Sequence, residues 1–162
     1  MRIDEELYAL AAALGRRALA DGATIVTAES CTGGLLAGAV TAVAGSSAWF
    51  ERGFVTYSDA AKVEDLFVPA ETIERFGAVS EQTARAMAEG ALRASRAKWS
   101  ASITGIAGPS GGSPAKPVGT VCFAWAGPGS TTSVQQVLPG DRAGVRRASV
   151  AIALRGLIDR LA

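Results

Sequence analysis

Between Asp4 and Ala44 the hydrophobic pattern changes from helical to extended and back to helical, and this constrains the fold more than any other feature of the chain. Leu7, Leu10, Leu14 and Ala18 recur at helical spacing, which predicts an amphipathic helix over 4–20 that Asp21-Gly22 ends. Ala23-Thr-Ile-Val-Thr27 is short, apolar and β-branched, as a strand buried on both faces would be. The chain then turns through Glu29-Ser-Cys-Thr-Gly-Gly34 into a helix of small residues over 35–44. Helix, strand, turn and helix in so short a span require a layered α/β domain.

The remainder continues the alternation. Phe50–Tyr57 reads as a second strand, and Ser58 or Asp59 can cap a short helix holding Lys62 and Leu66. A further short helix follows Pro69, Ser80 caps a longer one to about Ala97, and Trp99–Thr104 is a third strand. Residues 105–119 carry five glycines and three prolines without periodicity, an unusually long connection for a compact domain and one of the kind that is functional or disordered. Val118–Ala126 and Thr131–Leu138 are joined by Gly127-Pro-Gly-Ser130, which predicts an antiparallel hairpin. A helix over 141–161 closes the chain. The expected architecture is a three-layer α/β/α sandwich around a mixed, mainly parallel five-stranded sheet, forming one domain over 1–162.

Composition narrows the chemistry. No histidine occurs among the 162 residues, which excludes Ser-His-Asp and Cys-His catalysis and any histidine-ligated metal. Cys31 and Cys122 are too few for a four-thiolate zinc site or a disulfide framework, so a reducing cytoplasm is the expected location. The carboxylates show no paired set of the kind that holds two metals, and neither metal nor cofactor is expected. A formal charge of +1 lacks the basic excess of nucleic-acid-binding domains. The charged start MRIDEELYAL does not resemble a signal peptide, and no long apolar run predicts a membrane span.

Three segments carry candidate chemistry. In the turn 27–34, Ser30 stands at a strand-to-helix junction where the free amides of Cys31, Thr32 and Gly33 can face an oxyanion; from spacing alone, Ser30 or Thr32 as a plain helix cap is the commoner reading. Cys31, beside an apolar helix and without a histidine to ionise it, reads as a small core residue. A serine nucleophile would then need a lysine, tyrosinate or carboxylate as base. Of the three lysines, Lys98 adjoins Trp99 at a strand entrance, Lys116 lies in the glycine-rich loop, which is read as mobile, and Lys62 sits in the first turn of a helix. Lys62 is the most rigidly placed, provided its pKa falls toward neutrality; the alternative is a solvated lysine paired with Glu64 or Asp65. Third, the loop Thr104–Gly112 and Arg142 at a helix start both suit a phosphate, although the loop lacks the P-loop ending, and Asp141 with the following arginines can also be a cap and a solvated face.

Six segments occur together in order: Thr27-Ala-Glu-Ser-Cys-Thr-Gly-Gly-Leu35, Val55-Thr-Tyr-Ser-Asp-Ala-Ala-Lys62, Gly77-Ala-Val-Ser80, Thr104-Gly-Ile-Ala-Gly-Pro109, Lys116-Pro-Val-Gly-Thr120 and Gly140-Asp-Arg142. With them the chain resembles, over nearly its whole length, the CinA C-terminal domain family of nicotinamide-mononucleotide deamidases. The resemblance implies hydrolysis of the carboxamide of nicotinamide mononucleotide to nicotinate mononucleotide and ammonia, a step of pyridine-nucleotide salvage, by a metal-free serine acyl-enzyme. It implies Ser30 as nucleophile, Lys62 as its base and Tyr57 as a partner of the pair. Thr32, Gly33, Gly34, Thr104, Gly105, Gly108 and Arg142 are the expected substrate contacts, with Arg142 and the amides of 105–112 toward the phosphate. A nucleotide is the expected partner, with no nucleic acid or membrane, and a homo-oligomer, preferably a dimer, is the expected assembly. An inactive nucleotide-binding or competence-related interaction module is the alternative reading. Larger family members carry an N-terminal domain similar to molybdopterin-binding proteins, whose activity is not expected here. Ala44, Arg52, Phe67 and Lys98-Trp99 depart from the family pattern, and all lie away from Ser30, Tyr57, Lys62 and Arg142 in the sequence.

Overall fold

The computed structural model describes residues 2–161; Met1 and Ala162, the ends of the expected domain, lie outside the described residues. Helix α1 spans Glu5–Asp21, with the Asp4 carboxylate accepting from the amides of Glu6 and Leu7 at its start and Gly22 in a left-handed conformation at its end. The Ala23 amide closes this helix by donating to the Ala18 carbonyl. Strand β1 therefore runs from Ile25 to Glu29, two residues later than the apolar run predicts. This shift brings Glu29 out of the turn and into the strand.

Helix α2 (Leu35–Thr41) leads through a 3-10 turn at Ser46–Ala48 to β2 (Phe50–Val55). Then come α3 (Asp59–Leu66), α4 (Ala70–Phe76), α5 (Glu81–Arg93) and β3 (Trp99–Gly105). The hairpin strands β4 (Thr120–Gly127) and β5 (Ser130–Val137) precede α6 (Arg142–Arg160). Ser58, Ser80 and Asp141 cap α3, α5 and α6 through side-chain oxygens that accept from Ala61, Thr83 and Gly144. Helices α2 and α5 both end three or four residues before the composition suggested.

The strand order is β2-β1-β3-β4-β5. β1 pairs in parallel with β2 and β3, whereas β3–β4 and β4–β5 are antiparallel. The sheet is mixed as expected, with two parallel and two antiparallel pairings, and only β4 runs against the direction of the other four strands. The short hairpin turn forces β5 to run against β4, and the long 106–119 connection returns β4 against β3. Side chains alternate across β1, so Ile25 joins the core under α1, α2 and α6 while Val26 and Ala28 join that under α3–α5. Helices on both faces complete the three-layer sandwich.

From β1 the chain crosses to β2 on one side through α2, then returns past it to β3 on the other side. The order thus reverses at β1, and in open α/β sheets the crevice at the carboxyl ends beside such a reversal is where ligands bind. The carboxyl ends of the three parallel strands are Glu29, Val55 and Gly105. Helix α3, which carries Lys62, is pressed against α5 at Gly90, where a Cβ would stand 1.7 Å from the Leu66 carbonyl oxygen; only glycine permits this approach.

The departures from the family pattern have local accounts. Arg52 pairs with Glu51 and donates to the Ala94 carbonyl that ends α5. Trp99 lies against Gly127, whose missing side chain leaves room for the indole. Phe67 ends α3 at φ 58°, a conformation in which glycine is the favoured residue. Nothing in the structure explains Ala44. No helix among the described residues is long and apolar enough to cross a membrane.

Candidate active site

Ser30 follows the last residue of β1, and its amide donates to the Ile103 carbonyl of β3 at 2.9 Å, so the position of Ser30 is fixed by the sheet. The backbone then makes a tight turn whose Gly33 and Gly34 have φ of 56° and 103°. The Gly33 amide donates to the Ser30 carbonyl and the Leu35 amide to that of Thr32, so Gly33 is not an oxyanion donor as expected. Backbone carbonyls leave the Cys31 and Thr32 amides untaken.

This turn is held from both sides. The fully buried Glu29 carboxylate accepts from the Thr32 hydroxyl at 2.7 Å, the Leu36 amide at 2.8 Å and the Ala37 amide at 3.1 Å. From α6, Arg146 donates to the Cys31 carbonyl at 3.0 Å and to that of Thr32 at 3.3 Å. Sequence reasoning assigned neither residue a role. The sequence puts Glu29 in the turn, and the one signal for Arg146 is its spacing of four from Arg142 on the first turns of α6.

Lys62 lies on α3 one turn after the carboxyl end of β2, and 1% of it is exposed. Its Nζ is 3.0 Å from Ser30 Oγ and 2.8 Å from the Thr56 carbonyl oxygen. Burial lowers its pKa from the ordinary lysine value, and the charges of Asp59 and, when ionised, Cys31 oppose that shift. Nζ donates to both oxygens here; a neutral amine at the same position would keep an N–H on Thr56 and accept from the Ser30 hydroxyl, which is what proton abstraction requires. Burial pushes the Cys31 thiol up to about 11, only partly offset by Arg146, so at neutral pH Cys31 is a thiol and a poor nucleophile.

Ser30 and Lys62 open into a cleft of about 290 Å³ lined also by Tyr57, Asp59, Val79, Thr104, Gly105, Gly108 and Arg142. A larger depression of about 650 Å³ adjoins it, sharing Ala107 and Arg142 and including Arg146. Arg142 bridges the cleft wall, donating to the Gly108 carbonyl at 2.7 Å and to the Tyr57 hydroxyl at 3.2 Å. Tyr57, 61% exposed, thus stands at the rim on Arg142, while Lys62 donates its second bond to the Thr56 carbonyl. The Thr104 hydroxyl donates to the Ala78 carbonyl at 2.8 Å, so its proton is already engaged. The loop of Lys116 is tied down: Lys116 Nζ donates to the Phe76 carbonyl at the end of α4, and across the loop base the Ile106 amide donates to the Thr120 carbonyl and the Gly119 amide to the Ile106 carbonyl.

Of the ten residues expected in the site, the structure gathers Ser30, Lys62, Tyr57, Thr104, Gly105, Gly108 and Arg142 around one cleft. Thr32 is buried, with its hydroxyl on Glu29, and Gly33 and Gly34 line a separate groove between α1, α2 and α6.

A serine and a buried lysine in hydrogen-bond contact at the switch point of an α/β sheet define a hydrolase-like site, and relatives of known sequence narrow the class. Residues 7–161 match the model of the CinA C-terminal domain, and the chain belongs to that family. It is 53% identical over 155 residues to the nicotinamide-nucleotide amidohydrolase PncC of Escherichia coli K12, covering 95% of this chain and 94% of that one. The Pseudomonas putida protein of the same name is 48% identical, covering 96% and 97%. The structure of competence/damage inducible protein CihA from Agrobacterium tumefaciens superposes with a TM-score of 0.95 at 46% identity, covering 98% of each chain.

Proposed function

We propose that the protein is a nicotinamide-nucleotide amidohydrolase that works through an acyl-enzyme on Ser30. The observation that carries the reading is the 3.0 Å contact between Lys62 Nζ and Ser30 Oγ, two buried side chains that line the cleft. Neutral Lys62 takes the Ser30 hydroxyl proton as Oγ attacks the carboxamide carbon of nicotinamide mononucleotide, and the untaken main-chain amide of Cys31, which lines the cleft, is the donor proposed for the oxyanion. Collapse breaks the C–N bond, and Lys62 returns its proton to the departing ammonia. Water then attacks the nicotinoyl ester, losing a proton to Lys62, and releases nicotinate mononucleotide with Ser30 regenerated. Arg142, with Arg146 behind it in the adjoining depression, is the cation set for the substrate phosphate.

The test is ammonia release from nicotinamide mononucleotide by wild type, Ser30→Ala and Lys62→Ala. Turnover by wild type and a loss of at least about 10³-fold in each variant is expected. Turnover that survives Ser30→Ala would overturn the nucleophile. Tight nucleotide binding without turnover would favour a binding module instead. Arg142→Ala is expected to raise KM by about 10-fold or more while kcat changes little, because the phosphate is remote from the bond that breaks.

A further inference from the structure

We infer that Glu29 is a positioning residue for the nucleophile. Its carboxylate sets the Ser30–Gly34 turn against α2 so that Ser30 Oγ faces the cleft with the Cys31 amide beside it. This rests on Ser30 being the nucleophile, as proposed above.

Glu29 is fully buried beneath the cleft, does not line it, and forms no ion pair among the described residues. All three of its side-chain hydrogen bonds go to the nucleophile segment, to the Thr32 hydroxyl and to the second and third amides of α2. Those two amides are the ones a cap residue ordinarily satisfies, but the residue at the cap position is Gly34, which has no side chain to do so. A carboxylate from the neighbouring strand does this instead. The same residue's main chain is fixed on both sides, with its carbonyl accepting from the Thr56 amide and its register set between Val55 and Ile103. One residue therefore ties the strand end that precedes Ser30 to the helix start that follows it. It also meets the Thr56 segment, whose carbonyl holds Lys62. A simple core role would need only an apolar side chain there. Three convergent donors on an acceptor-only group give the turn a defined geometry.

The informative variants are Glu29→Gln and Thr32→Val. Glutamine keeps the size of the side chain but places an NH₂ against at least one donor, and valine removes the hydroxyl that donates to Glu29. Glu29→Gln is expected to lower kcat by on the order of 10²-fold with KM within about threefold of wild type, since a displacement of about 1 Å in a reacting group has that cost. Thr32→Val is expected to lose less. The midpoint of the rising limb of the pH profile should stay where it is, because Lys62 keeps its surroundings. Labelling of Ser30 by a fluorophosphonate, followed by intact mass, should slow in proportion to kcat in protein whose far-UV spectrum and cooperative melting are retained. Unchanged kcat and labelling in both variants would overturn the inference. So would a rise in KM at constant kcat, or a displaced pH midpoint, which would make Glu29 an electrostatic partner of Lys62. A wild type that labels at Ser30 but leaves nicotinamide mononucleotide intact would fault the substrate assignment alone, and the labelling rates would still decide the role of Glu29.

Discussion

Two opposed influences meet at Lys62. Burial favours the neutral amine, and the Asp59 carboxylate at the rim of the same cleft favours the ammonium. Only the neutral form can take the Ser30 proton, so kcat/KM is expected to rise with pH through the Lys62 pKa, at a midpoint below the ordinary 10.5. Asp59→Asn removes the influence that raises this pKa, and the rising limb should therefore move to lower pH with the plateau rate retained. A pH–rate profile of the two proteins checks the sign, and a shift to higher pH would contradict it. Lys62→Arg is expected to behave like Lys62→Ala, because a guanidinium does not give up its proton. At this scale the sequence marked Ser30 and Lys62 by their local settings, a strand-to-helix turn and a first helical turn. It gave no sign of Glu29 or Thr56, whose contributions are a remote carboxylate and a main-chain carbonyl.

At the scale of elements, α3 has to end where Val68 re-enters the core beneath α5, and it does so through Phe67 in a left-handed conformation. A Cβ in that region has a steric cost that glycine avoids, and the Phe67 ring is half exposed and gains little burial. Phe67→Gly is expected to stabilise the protein by about 0.5–1 kcal/mol, the backbone relief exceeding the entropy that glycine adds to the unfolded chain. Urea unfolding measures it, with an increased midpoint and unchanged slope as the expected result. The element pattern itself was legible from periodicity. Element ends were less so, because tertiary pairing moved them: Ala23 closes α1 and does not begin β1, and Glu29 is polar yet completes a strand paired on both sides.

For the whole molecule, stability resides in the layers more than in surface charge. Arg147 joins Asp4 and Glu6, and Arg155 also reaches Glu6, linking α1 to α6 at exposed positions where salt screens the pairing. Leu154 is fully buried between α6 and the sheet. Leu154→Ala is expected to cost about 2–5 kcal/mol. Arg147→Ala should lower Tm by much less, and that difference should shrink further in high salt. Thermal melts of the two variants at low and high ionic strength check both expectations. An equal loss in the two would place more of the stability in the ion cluster than its exposure allows.

The sequence by itself determined the alternation of elements, and through it a layered α/β sandwich. The absence of histidine also limited a serine nucleophile to bases such as lysine. Those are properties of local pattern and residue inventory, which survive without any knowledge of packing. Tertiary structure decided which segments meet. The order reversal at β1 brings Ser30 and Lys62, 32 positions apart, into hydrogen-bond contact, and α6 arrives from the far end of the chain to place Arg142 and Arg146 beside them. It also separated Gly33 and Gly34 from the cleft and turned the Thr32 hydroxyl inward onto Glu29, since a turn's sequence fixes its backbone but not which side its neighbours occupy.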